Sequence, residues 1–143
     1  MKELGSFKDR RYQKEMLYER KILRDLSIER LHSKMKVNFY PLFYWSKIED
    51  MNVEEYCMDI AIESFLLGAR NSKFSIRGET IDQLKERCMH EEKLLIDTLY
   101  EVINNCFDDS YQESLYYICE QYVQDWWYEG CEAGVRRHRL RLI

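Results

Sequence analysis

Trp126-Trp127-Tyr128-Glu129-Gly130-Cys131-Glu132-Ala133-Gly134, then Arg136-Arg137-His138-Arg139-Leu140-Arg141 after a single valine, is the stretch that decides the fold. Upstream of it, Leu115, Ile118, Cys119, Tyr122, Val123 and Trp126 recur at spacings of three and four, the buried face of a helix. Glycine inside a helix costs about 1 kcal/mol relative to alanine. Two glycines one turn apart offset that cost if they let a second helix approach closely. The charges around them exclude the membrane setting in which such spacing is often met. The sequence leaves open whether this helix stops at Gly130 or runs through Gly134.

Working backwards, three more helical patterns appear. Thr80 and Gln83 form a capping box that opens a helix carrying Leu84, Cys88, Leu95, Leu99, Val102 and Cys106 on one stripe. Ser110 with Glu113 repeats the motif before the last helix. Asn52 with Glu55, and Met51 with Tyr56, supply the box and hydrophobic staple of another, striped by Val53, Tyr56, Cys57, Ile60, Ala61, Ser64 and Leu67. Gly68-Ala69-Arg70-Asn71 reads as its end, with Asn71 capping in the left-handed conformation and a loop from Ser72 to Gly78. The N-terminal pattern spans Lys8 to Lys36, with a shift of register near Ser27 that predicts a kink or break. A helix of that length either overhangs the core or packs in a dimer. Val37 to Trp45, around the lone Pro41, reads as an aromatic-anchored connection. Cys57 to Gly68 and Cys119 to Gly130 share one spacing, which either a repeat or two core helices of similar length would give. The expectation is an all-α fold, a bundle-like single domain over residues 1–143 with four to five helices, a long N-terminal helix and a basic end at 136–143.

Composition narrows the function classes. One proline and five glycines leave long helices uninterrupted, and the 34% charged residues fit a soluble globular chain. No run approaches the roughly eighteen apolar residues that a membrane helix needs. The N-terminus lacks the apolar run of a signal peptide. The five cysteines are odd in number and form no CxxC pair, as expected for reduced thiols in the cytoplasm. Charge is segregated. Residues 1–40 carry 11 basic and 6 acidic side chains, residues 41–135 carry 7 and 20, and residues 136–143 carry 4 and none. The basic ends either pack beside the acidic middle or present a positive patch to an anionic partner.

Candidate chemistry is sparse. A carboxylate-bridged metal site in a helical bundle needs glutamates from two helices and ExxH motifs from two others. Glu29-Arg30-Leu31-His32 is one such motif and has no second, although Asp59, Glu63 and Glu92 could be assembled with Glu29 and His32 on paper. Cys88 and His90 stand too close for paired zinc ligands. No GxSxG and no phosphate-cradling glycine loop is present. No cofactor is expected, and no catalytic residue is assigned. Arg136, Arg137, Arg139 and Arg141, with Arg70 and Arg77 near the end of the second striped helix, are the candidate contacts for a partner or an anion. The same arginines would also complement a helix dipole. The pI near 5.5 and the shortness of the basic run argue against nucleic acid.

Four segments carry a resemblance. They are Phe7-Lys8-Asp9 with Arg11 and Gln13-Lys14; Leu26-Ser27; Cys57-Met58-Asp59-Ile60-Ala61-Ile62-Glu63 with Leu66-Leu67-Gly68-Ala69-Arg70; and Asp125-Trp126-Trp127 with Gly130 and the basic end. Together they resemble a family of uncharacterised small proteins, a domain of unknown function, from spore-forming bacilli and relatives. The resemblance implies a bacterial cytoplasmic origin and no activity or cofactor. The reading that follows is a non-enzymatic interaction or regulatory protein that binds another protein or itself as a homodimer. A metal-binding bundle or enzyme, and an anion- or nucleic-acid-binding tail, are the alternatives.

Overall fold

A computed structural model describes residues 2–45, 53–105 and 112–140, and the side chains of 8–39, 53–105 and 114–140. The described residues form five α-helices and no strand: α1 (Lys2–Leu23), α2 (Ile28–Trp45), α3 (Val53–Ile76), α4 (Ile81–Asn104) and α5 (Gln112–Arg139). The fold is an all-α bundle. Its central contact is α3 against α5. The Tyr122 hydroxyl donates to the Cys57 carbonyl at 2.8 Å, Phe65 lies against Trp126 and Gly130, and Ala69 and Ser72 lie against Gly134. Partner numbers rise together along both helices, so α3 and α5 run parallel. α2 and α4 both run antiparallel to α5. Lys34 and Phe39 of α2 meet Glu129 and Tyr122, while Lys85 and Tyr100 of α4 meet Tyr128 and Tyr116.

Glycine sets the closeness of the parallel pair. A Cβ on Gly130 would fall on the Phe65 backbone, and one on Gly68 would fall on the Trp127 backbone and lie 2.8 Å from the Cys131 nitrogen. The two contacts are reciprocal: each helix offers a glycine to the backbone of the other, and small residues follow one turn later at Ser72 and Gly134. The shared Cys-to-Gly spacing noted above is thus the register of this pair, with Cys57 and Gly68 facing the levels of Cys119 and Gly130. Gly68 is therefore a packing position, and the expected stop at Gly68 to Asn71 is corrected. α3 continues to Ile76. Asn71 stays helical and donates to the Leu67 carbonyl at 2.8 Å. The turn comes at Gly78, whose φ of 106° is the one positive value among the described glycines. Its N–H reaches the Ser75 carbonyl and that of Glu79 the Phe74 carbonyl, each at 3.0 Å, so these two carbonyls near the end of α3 are satisfied.

Other boundaries divide the same way. Thr80 caps α4 through the expected reciprocal box with Gln83. The register shift near Ser27 is a break: α1 ends at Leu23, and the Ser27 hydroxyl accepts from the Arg30 N–H at the start of α2. Pro41 does not mark a connection. α2 runs on through it to Trp45. The carbonyl that loses its hydrogen bond there belongs to Val37, a residue on the exposed side of the helix. The expected boxes at Asn52 and Ser110, the Met51–Tyr56 staple and the thiol of Cys106 fall at least partly outside the described residues.

The adjacent tryptophans enter different parts of the core. Trp126 joins a cluster with Ile22, Met35, Phe39, Phe65 and Leu99, whereas Trp127 joins Leu67, Leu84, Cys88 and Cys131. Neighbours on a helix point about 100° apart, so α5 is buried on more than one side and forms the hub of the bundle. On α4, the buried positions are Leu84, Cys88, Glu92, Ile96, Leu99 and Ile103. Leu95 and Val102 of the expected stripe are only half-buried. The register places a glutamate inside.

Candidate protein-binding face at the basic end

Parallel packing carries the C-terminal ends of α3 and α5 to one pole of the bundle, where α4 begins and α1 passes. The last turns of α5 then divide by helical angle. Arg137 and His138 turn toward α1, while Tyr128, Glu132, Val135 and Arg139, at spacings of four, three and four, turn toward the start of α4. Arg136 stands on the ridge beside them and also borders a shallow hollow with Asp25, Arg30 and Glu129.

On the α1 side, Arg137 is committed to the fold. Its Nε donates to Asp25 Oδ2 at 2.7 Å and its Nη2 to the Lys21 carbonyl at 2.5 Å, with the side chain 12% exposed. It satisfies carbonyl and carboxylate at the end of α1, where a cation is favoured by the helix dipole. A cleft of about 290 Å³ opens next to it, lined by Lys14, Glu15, Tyr18, Arg70, Lys73 and His138. The Tyr18 hydroxyl donates to the Ala69 carbonyl at 3.1 Å and closes the floor. Burial lowers the pKa of His138, so its imidazole is neutral at pH 7. Arg70 is shared between Glu19 at 3.4 Å and Glu63 at 3.8 Å.

On the other side lies a larger groove of about 590 Å³, lined by Ser75, Ile81, Tyr128, Cys131, Glu132, Val135, Arg136 and Arg139. Ile81, Tyr128 and nearby Ile76 are large apolar side chains left exposed. Lys85 sits 4.6 Å above the Tyr128 ring and holds it as one wall. Arg136 and Arg139 make no ion pair among the described residues. Glu132 is the acidic residue of the lining, so the groove combines an apolar floor with a net positive rim. The Cys131 thiol at its base is pushed up to about 11 by burial. It is protonated at neutral pH and packs as a small apolar group.

The remaining candidates do not converge on this face. Arg77 stacks on Phe74 with its guanidinium carbon 5.7 Å from the ring, beside the closer Arg87 at 3.9 Å. Arg141 lies outside the described residues. Glu29, His32, Asp59, Glu63 and Glu92 are spread over three helices. Among the described residues no group of three or more His, Cys, Asp or Glu side chains is placed to hold a metal ion. The four described cysteines are free and buried. Burial pushes Cys119 up to about 12 and Cys57 higher still. Among the described residues no helix is long and apolar enough to cross a membrane.

Of the residues lining this groove, the sequence singled out Arg136 and Arg139 as candidates but not Ile81, Tyr128 or Val135. Their signal was present: Tyr128, Val135 and Arg139 continue a helical stripe past Gly134. It is read correctly only once the helix is known to run on to Arg139.

Comparison with known proteins agrees with the whole-chain resemblance. Residues 1–143 match the family model DUF2521, described as a protein of unknown function. The chain is similar to a Bacillus subtilis (strain 168) protein described as "Uncharacterized protein YbaK", at 29% identity over 146 residues and 99% coverage of both chains. No solved structure matches.

Proposed function

Since this chain belongs to the DUF2521 family of unknown function, we propose from its own geometry that it is a non-enzymatic interaction protein of the bacterial cytoplasm that binds an acidic, partly apolar protein surface in the groove between α4 and α5. One observation carries the reading. Arg136 and Arg139 make no ion pair among the described residues and stand beside exposed Ile81 and Tyr128, while Arg137, their neighbour in sequence, is consumed by Asp25. A tail that served only to complement the helix dipole would not be expected to sort its arginines between a fold contact and an apolar groove. The groove suits an amphipathic helix, whose apolar stripe would cover Ile81, Tyr128 and Val135 while its carboxylates meet the two guanidinium groups. Desolvated pairs of arginine and carboxylate are strong and directional. Aromatic and arginine side chains are the usual anchors of such interfaces.

The test is a titration with a fluorescent, designed amphipathic helical peptide bearing a leucine stripe flanked by glutamates, and with its lysine-flanked counterpart. The acidic peptide binds the wild-type chain, and binding weakens at least about tenfold in an Arg136→Glu/Arg139→Glu variant, a change of about 1.4 kcal/mol. Equal binding of both peptides, or an unchanged affinity in the variant, would contradict the reading.

A further inference from the structure

The acidic surface that the groove is built to receive is present on the chain itself. Between Val53 and Ala69, α3 carries Glu54, Glu55, Asp59 and Glu63 and no basic residue. Glu55, Asp59 and Glu63 recur every four residues, so they form one exposed stripe, and Tyr56 beside them is 49% exposed. Glu54, Glu55 and Asp59 make no ion pair among the described residues, and Glu63 has only the long contact to Arg70. This stripe begins at the N-terminal end of α3. The groove of Arg136 and Arg139 lies at the C-terminal ends of α3 and α5. Because α3 and α5 are parallel, the two surfaces sit toward opposite poles of one molecule and cannot meet within it.

We infer that the groove of one copy receives the α3 acidic stripe of a second copy, so that the chain self-associates head to tail. The inference rests on the groove reading above and names its occupant. Three features support it. The charges are complementary: Arg136 and Arg139 on the groove rim, with no ion pair among the described residues, would meet a stripe of carboxylates of which only Glu63 has an ion pair among those residues, with Arg70. The apolar parts match, because Tyr56 flanks the stripe as Ile81 and Tyr128 floor the groove. The separation of the surfaces makes the contact heterologous, since each copy offers its groove to one neighbour and its stripe to another. Such an interface is rich in exposed charge, so it weakens with salt.

Analytical ultracentrifugation of the full chain over a concentration series tests this, with circular dichroism confirming that each variant keeps its helices. The wild type is expected to show concentration-dependent sedimentation at about 0.05 M salt and to revert toward monomer at about 0.5 M. Arg136→Glu/Arg139→Glu and Glu55→Lys/Asp59→Lys should each be monomeric alone. Mixing these two variants should restore a complex, because one retains the stripe and the other the groove. A wild type that stays monomeric throughout would overturn self-association. So would association that survives reversal of the α3 stripe, the result expected of a two-fold dimer through α1. The designed acidic peptide separates the two levels of failure. If the peptide binds the groove while the chain stays monomeric, only the identity of the occupant is wrong. If neither binds, the groove reading fails as well.

Discussion

Glu92 is the residue least at home in this fold. It lies on the inward face of α4 and is 6% exposed, and among the described residues its Oε1 accepts no hydrogen bond. Lys85 Nζ stands 3.7 Å away, beyond hydrogen-bond reach. Burial raises the carboxyl pKa and outweighs the attraction of Lys85. A carboxyl raised on folding contributes its stability below the ordinary carboxylate range and loses it as the pH rises through the folded value. Glu92→Gln should therefore raise the thermal midpoint at pH 7 to 8, and the gain should vanish near pH 4, where both side chains are neutral. Scanning calorimetry at the two pH values checks this, and equal midpoints at pH 7 would show that the carboxylate is well solvated. The position was legible as a helix residue but not as a buried one. Glu91 and Glu92 look alike in sequence, and only the register set by Leu84, Cys88, Ile96 and Leu99 turns one of them inward. Arg137 is the converse case. Four arginines look equivalent along the tail, and of the three described, Asp25 nearby draws Arg137 into the fold while Arg136 and Arg139 stay exposed.

At the scale of the element, the close approach of α3 and α5 depends on Gly68 and Gly130, since a Cβ on either would meet the backbone of the other helix. Gly130→Ala would drive a methyl into the Phe65 backbone, where no side chain can swing aside. Overpacking of this kind costs about 1–3 kcal/mol, occasionally more, so urea denaturation should show a loss at or above the top of that range. Gly134→Ala should be milder, because its nearest neighbour is the Ser72 side chain. A Gly130→Ala variant as stable as wild type would mean that the helices are not in backbone contact. Helix boundaries were legible where the signal is local and singular, as at Thr80 with Gln83. They were misread where one residue type serves two purposes. Glycine both ends helices and lets them touch, and Gly68 does the second. Proline marks connections more often than it sits inside a helix, yet Pro41 lies within α2, where the hydrogen bond it forgoes is on the exposed side.

For the whole molecule, the segregation of charge in the sequence becomes segregation in space through one topological fact, the parallel run of α3 and α5. It places Glu55 and Asp59 toward one pole and Arg136 and Arg139 toward the other. Residues 8–17 of α1 stand exposed along their length, with Tyr12 and Leu17 in contact with water. No propensity or spacing in the sequence fixes whether two distant helices run parallel, so the poles could not be read from charge counts alone. The proposed binding face is the groove between α4 and α5. It is tested most directly by mapping backbone amide shifts of the isotopically labelled chain during titration with the designed acidic peptide. The largest changes should fall at Ile81, Tyr128, Val135, Arg136 and Arg139, with Lys14, Tyr18 and Lys73 of the α1 cleft little moved. Changes centred on the α1 cleft, or none at saturating peptide, would contradict it.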